Sequence, residues 1–567
     1  MKRAPGAKGQ REIAHGRYGA ATVLRLNARV SLWQGAAKDG TDTALDRKGA
    51  PWWEHRWGVA LLALLATLPL LWPTIPPLVD LPGHMGRFRV ELDLANDPAL
   101  QQFYSFKWLV IGNLGVDLLI IPMAKIFGLE LATKLIVLSI PPMTVAGFLW
   151  VAREVHGRVP PTALFAIPFA YGHPFIFGFL NFSLSMAFAL LAFAFWLRLG
   201  RLGHPLMRAA IFVPLSVLIW FTHTFGWGTL GVMAFSAELV RQFDKGRSLA
   251  HSAFRSAWHC LSIAPPILLM LLWRSGHHVG GETGDWFNWR AKYLWLVQAL
   301  RDRWFMFDLV SLLCVLLVIV GGMRSPRLGF SRNLAASALF LCLVYVLLPR
   351  IIFGSAYADM RLVPYLLAIG VIAIRLKDTA TPGYARLLAI AATAFVVVRI
   401  GANTLSFWMY DQTYKQELAA VDHIPRGAKV AAFVQVHCRQ PWGMSRLEHL
   451  PAIALVRKGA YSNDQWQMPG GQLLSSRLAA AGGWRYDPAQ QVTKEACSGE
   501  YWRTIDESLR TFPRQVFDYV WLIEPPDYDP ALTRGLQPVW RSGTSVLYRV
   551  VDRTPPDQPL AVPEEEE

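Results

Sequence analysis

The chain has 567 residues, 53% of them hydrophobic and only 17% charged, against about 25% charged in soluble domains, which excludes an ordinary soluble globular protein. A formal net charge of +16 would suit a nucleic-acid binder. The Lys and Arg residues, however, fall mainly in short connections between apolar runs, where they set membrane orientation instead.

Residues 1–50 are polar and basic and read as a flexible cytoplasmic arm without a cleavable signal peptide. A membrane domain follows over 51–402. Its first apolar run is 57–76, and further candidate spans centre on 133–152, 163–180, 183–199, 209–222, 225–240, 257–273, 307–322, 333–349, 362–376 and 385–402, about eleven in all. With the N-terminus inside, the inner connections are 153–158, 198–208, 241–255, 324–332 and 375–386. Each carries at least two arginines, as the positive-inside rule asks. The stretch 114–128 is apolar but short and holds Asp117 and Lys125, so it reads as an amphipathic helix on the outer surface.

Three polar segments then lie outside. They are the long loop 77–132, the segment 274–306 with His277, His278, Glu282, Asp285, Arg290 and Lys292, and the segment 350–361 with Arg350, Asp359 and Arg361. From about residue 403 the pattern changes. Apolar, β-rich runs at 428–436 and 517–523, a terminal hairpin turning at Ser542 and Gly543, and candidate helices at 447–455 and 501–509 describe a small outer α/β domain over 403–553, followed by an acidic tail at 554–567. Cys260, Cys314 and Cys342 lie in apolar runs and read as small buried hydrophobes. Cys438 and Cys497 can pair as a disulfide if the C-terminal domain is outside the cytoplasm. No cysteine pair has zinc-like spacing.

Asp80 stands out. It sits in segment 77–84 (PLVDLPGH), directly after the first apolar run, and an acid there is costly unless it faces a water-filled cavity. Pro82 and Gly83 make a turn. A helix beyond it places His84, Arg87 and Glu91 on one face by their i, i+3, i+7 spacing. The plainer reading is a loop of surface ion pairs capping the first helix, and it suits Arg89 and Asp93 better than Asp80.

An acid after the first span, a first outer loop with helical segments over 81–128, a multispan core and a terminal soluble domain together resemble the GT-C class of integral-membrane glycosyltransferases. Within that class the spacing of Asp80 and His84 is similar to an Asp-x-x-x-His pattern of bacterial members. The resemblance implies transfer of a sugar from a polyprenyl-phosphate carrier to a glycan, lipid or protein acceptor on the outer face of a bacterial inner membrane. The paired Asp-Asp or Asp-Glu that many members carry at the first loop is missing, so no metal ligands are assigned, although a divalent metal remains a candidate cofactor.

Such chemistry needs a base for the acceptor hydroxyl and cations for the departing lipid phosphate. Asp80 is the expected base. Arg361 and Lys292, then Arg350, are the expected phosphate ligands, weighed against an ion pair of Arg361 with Asp359 and snorkelling of Lys292. His84, Arg87, His173, Asn181, His223 and Asp359 complete the expected substrate-binding set. His173 and His223 read equally as satisfied helix-end histidines, and Asn181 as the cap of a helix starting near Ser183. Trp286, Trp289 and Trp304 form either an interfacial belt or an isoprenoid platform. Two rivals stand beside the enzyme: a transporter or flippase, and a non-catalytic envelope scaffold. The enzyme reading requires Asp80, Arg361 and Lys292 to meet around one cavity.

Overall fold

A computed structural model describes residues 50–276, 282–468, 471–498 and 502–555. The basic arm up to residue 49, His277, His278 and the tail from 556 lie outside the described residues. The chain forms two compact units, 1–58 and 59–567. In the described part of the first, a turn at Trp52–Glu54 stacks Trp52 and His55 on Trp57, with centroids 6.2 and 6.1 Å away.

The second unit carries the helices and the sheet. Among the described residues, five helices are long and apolar enough to cross a membrane: Leu129–His156, Leu180–Leu202, Pro205–Thr222, Phe305–Arg324 and Pro382–His423. A sixth candidate, Leu249–Ile263 with Pro266–Leu272, is bent by 66° where Pro265 and Pro266 interrupt the ladder. This set makes the chain a multi-pass membrane protein. Several expected spans take other forms. Arg56–Leu65, Arg332–Leu347 and Met360–Ile372 are shorter apolar helices, and Thr224–Phe243 is a helix of 20 residues. The run 163–180 is not a spanning α-helix: it is a 3₁₀ segment, Pro161–Tyr171, and a short helix, His173–Phe177, both almost wholly buried. Pro160, Pro161, Pro168 and Pro174 remove the donors a continuous α-helix needs, and packing on every side explains why the run is apolar throughout.

The helix Pro382–Leu418 has 37 residues, about 55 Å of length, and runs well past the 402/403 position where the membrane pattern fades. Its last turns bury Tyr410, Asp411, Tyr414 and Glu417. The C-terminal fold that follows is a mixed sheet.

Three-residue strands β1 (Tyr104–Phe106), β2 (Leu328–Phe330) and β3 (Ile374–Leu376) precede it. The main strands are β4 (Lys429–Gln435), β5 (Tyr461–Ser462), β7 (Gln491–Thr493), β8 (Arg503–Thr504), β9 (Tyr519–Ile523), β10 (Leu536–Ser542) and β11 (Ser545–Val550), with β6 (Leu474–Ser476) set apart. Their order is β10-β11-β9-β4-β7-β8, with β5 also on β4. Strands β4, β5, β7, β8 and β9 pair in parallel, and the terminal hairpin is antiparallel. Gly543, at φ 56°, supplies the turn that the sequence marks at 542–543.

The first long loop docks onto this sheet. β1 pairs with β6, from Tyr104↔Ser476 to Phe106↔Leu474. Val90, Leu100, Phe103 and Tyr104 enter the same core as Phe433, Trp484 and Val520. The helix Leu81–Asp93 is thereby held against the C-terminal fold, which covers its first turn.

A strap at 437–446 ties the two layers. At its start Cys438 and Cys497 form a disulfide, Cα–Cα 5.3 Å, across a separation of 59 residues. Chain-entropy arguments give such a crosslink about 4 kcal/mol. A Cys438→Ser variant is expected to unfold at lower denaturant with a somewhat larger m-value, because its unfolded chain is less constrained, which equilibrium unfolding in detergent would show.

Candidate active site

The turn expected at Pro82 and Gly83 does not form: the helix Leu81–Asp93 runs through both, with Pro82 in its first turn where no N–H is needed, and Asp80, 9% exposed, immediately precedes it. Its backbone N–H donates to the Phe177 carbonyl at 2.9 Å. Gly178, at φ 104°, lets the two segments touch; a Cβ there would lie 2.8 Å from the Asp80 nitrogen. The Asp80 side chain makes no cap and has no hydrogen-bond partner among the described residues. Burial pushes its carboxyl up to about 7. His449 pulls it down, Glu448 and Asp487 push it further up, and Arg361 pulls it down again. An acid balanced near neutrality suits a general base.

One wall comes from the C-terminal fold. His449 is buried, and its Nδ1 donates to the Asp464 carbonyl at 2.9 Å. This bond leaves Nε2 facing Asp487 Oδ1 at 3.9 Å. The ring packs on Trp466 at 4.2 Å, and Trp466 packs on His84 at 5.0 Å. Gly83 makes the close approach possible, since a Cβ there would lie 2.6 Å from the Trp466 ring. Burial and the Arg87 charge hold His84 well below the usual imidazole range, so His84 is neutral.

The other wall comes from the membrane helices. His223 has extended backbone between Pro205–Thr222 and Thr224–Phe243, and its Nδ1 caps the second helix by accepting from the Phe225 N–H at 3.1 Å. The neutral ring therefore carries its proton on Nε2. The Arg361 guanidinium stands 3.4 Å from that nitrogen. Two donors thus face one another, an arrangement that an anion between them would relieve. Arg361 is held in place by Ser355 Oγ at 3.2 Å, the Ala356 carbonyl at 3.4 Å and the Phe179 face at 4.3 Å. It has no carboxylate within ion-pair distance among the described residues.

Other expected site residues are occupied elsewhere. Lys292 spends all three N–H bonds on the Tyr345 and Leu348 carbonyls, both at 2.8 Å, and on Asp359 at 3.1 Å. It is neither snorkelling nor free for phosphate, and Asp359 is its partner rather than that of Arg361. Arg350 pairs with Asp285. Arg87 pairs with fully buried Asp117 at 2.8 Å, and Asn181 donates to the same carboxylate at 3.0 Å while accepting from the Val116 N–H at 2.6 Å. Asn181 therefore caps no helix at Ser183; Arg87, Asp117 and Asn181 lock the first-loop helices to Leu180–Leu202. His173 is buried against Phe177 and Trp295, 6.0 and 6.4 Å away, and neither ring nitrogen has a partner among the described residues, which contradicts a satisfied helix end.

Glu448, His449, Trp466 and Asp487 are the site residues that sequence reasoning missed. The adjacent charges at 448–449, flanked by Leu447 and Leu450 inside an apolar run, were a usable signal. No group of three or more His, Cys, Asp and Glu among the described residues could hold a metal ion. A cleft of about 420 Å³ adjoins the site, with Arg303, Tyr410, Met444, Glu448 and Glu524 in its lining.

No protein-family model matches the sequence, and no curated protein matches it. Solved structures that resemble the chain's fold include two of one protein. The crystal structure of ArnT from Cupriavidus metallidurans in the apo state has a TM-score of 0.45 at 12% identity, covering 87% of this chain and 97% of that one. The same protein bound to undecaprenyl phosphate gives 0.44 at 12% identity, covering 88% and 98%. So distant a likeness transfers no residue role to this chain.

Proposed function

We propose that this chain transfers a sugar from a polyprenyl-phosphate carrier to an acceptor, at the outer face of a bacterial inner membrane, for cell-envelope glycan assembly. The observation that carries this reading is the pair of facing donors, Arg361 and His223 Nε2, whose cation acts on the Asp80 carboxyl. A lipid phosphate seated between the donors would present its sugar to Asp80. The acceptor hydroxyl loses its proton to Asp80 as its oxygen bonds the anomeric carbon. The bond to phosphate oxygen breaks, and the anomeric centre inverts in this single displacement. Arg361 and His223 take up the charge that develops on the leaving phosphate. The cleft containing Arg303, Glu448 and Glu524 suits a polar acceptor. A transporter would need mid-span charges arranged in symmetric broken helices, and a scaffold would not need an unpaired acid beside an unpaired cation.

Arg361→Gln keeps the shape but removes the charge, and is expected to lower the rate of transfer by about 10²–10³. Release of polyprenyl phosphate from labelled donor lipid in reconstituted membranes would measure it. Wild-type turnover by this variant would remove the phosphate from the proposed site.

A further inference from the structure

We propose that His449 is the positioning residue that keeps Asp80 a carboxylate: its Nδ1 is fixed on the Asp464 carbonyl, and its Nε2 carries a proton between Asp487 and the Asp80 side. The inference rests on the reading of Asp80 as a base and goes beyond it.

His449 packs on the first turn of the helix that Asp80 begins: a Cβ on Gly83, three residues from Asp80, would lie 3.2 Å from His449 Cγ. The Nδ1–H bond to the Asp464 carbonyl, at 2.9 Å, sets the tautomer, so the second proton can go only on Nε2. Around that nitrogen the field is negative. Asp487 Oδ1 lies 3.9 Å away, and the charges of Asp80, Asp464 and Glu448 act on the same ring. Each acid has its own support. Asp464 accepts from Ser462 Oγ at 2.7 Å and the Ala452 N–H at 2.8 Å, and Asp487 accepts from Gln490 at 2.7 Å. The aromatic floor is Trp466, 4.2 Å from the ring, which orients the imidazole and suits its cationic form. On the helix opposite, His84 is neutral, and Arg361 faces Asp80 from the membrane side. Those acids raise the His449 pKa against the cost of burial.

The proton balance follows. Before transfer the pair is Asp80 carboxylate and His449 imidazolium. The acceptor hydroxyl gives its proton to Asp80, leaving a neutral acid beside the imidazolium. Loss of that proton to solvent restores the starting state, and no other group is oxidised, reduced or consumed. His449 touches no substrate; it acts through Asp80.

A hydrophobic carbodiimide tests this without any sugar donor. Dicyclohexylcarbodiimide adds to a protonated buried carboxyl and ends as an N-acylurea, which peptide mass spectrometry locates. In the full-length protein in lipid nanodiscs, Asp80 labelling is expected to fall through a midpoint near pH 7. His449→Gln removes the nearby cation and is expected to raise that midpoint by about one pH unit or more. His449→Asn likewise removes the cation while leaving every neighbouring acid in place, is expected to move the midpoint in the same direction, and serves if the first variant does not fold. Midpoints unchanged in both His449→Gln and His449→Asn would overturn the proposal. A shifted midpoint together with normal glycan transfer in an Asp80→Asn protein would uphold the pairing while refuting Asp80 as the base.

Discussion

Asp80→Asn is expected to lower the transfer rate by about 10²–10⁴ while making the protein more stable at pH 8. The first effect is the loss of a general base. The second comes from burial. The Asp80 carboxyl titrates at about 7 in the fold but near 4 in an unfolded chain, so the folded state holds its proton more tightly. The linked stability is fully present below about pH 4 and is lost as pH rises through about 7. An Asn side chain has no proton to lose, so its advantage is largest above pH 7 and vanishes in acid. Thermal unfolding of both proteins at pH 5 and pH 8 separates this from a folding defect. Wild-type activity should fall about tenfold per pH unit below about 7, and that limb should be absent from the residual activity of the variant.

The second large effect is expected at Arg446, which clasps the strap. Its guanidinium is 0% exposed, pairs with Asp302 and donates to the Pro77 carbonyl at 2.8 Å, three residues from Asp80. The cation lies 4.0 Å from the Tyr410 ring, and Tyr410 and Tyr414 donate to the Met444 and Arg446 carbonyls at 2.6 and 2.7 Å. Arg446→Met fills the volume but strands Asp302 as a buried charge, and breaking such a pair costs about 3–5 kcal/mol. Asp302→Asn in the same chain removes the stranded charge and is expected to recover part of the loss. A chemical-denaturation double-mutant cycle measures the coupling. Transfer should suffer too, because the Pro77 carbonyl fixes the approach to Asp80.

What could be read in advance depended on whether local chemistry or tertiary pairing decided the outcome. Asp80 was legible because an acid between apolar neighbours at the end of a long run has few ordinary explanations. β4, β9 and the terminal hairpin were legible from their β-rich runs and the glycine turn. Arg361 and Lys292 looked alike in sequence, both cations in outer segments. Only the fold shows that Lys292 is consumed by Asp359 and two carbonyls while Arg361 is not. Arg87 and Asn181 read as substrate ligands because their partner Asp117 was hidden in what read as a surface amphipathic helix. His449 lies more than 360 residues from Asp80, and no local periodicity signals that the first loop docks on the C-terminal sheet through β1, a strand of three residues. The run 163–180 misled for a general reason: a segment buried on every side is as apolar as one in lipid, and its prolines were the clue against a span.

The central claim places a carboxylate and a phosphate site in one pocket, and equilibrium binding of a polyprenyl monophosphate to the detergent-solubilised protein tests it most directly. Arg361→Gln should weaken binding about tenfold or more. Asp80→Asn should bind as tightly as wild type or more tightly at pH 8, because it removes a like charge facing the phosphate. Unchanged affinity in Arg361→Gln, or weaker binding in Asp80→Asn, would contradict the shared pocket.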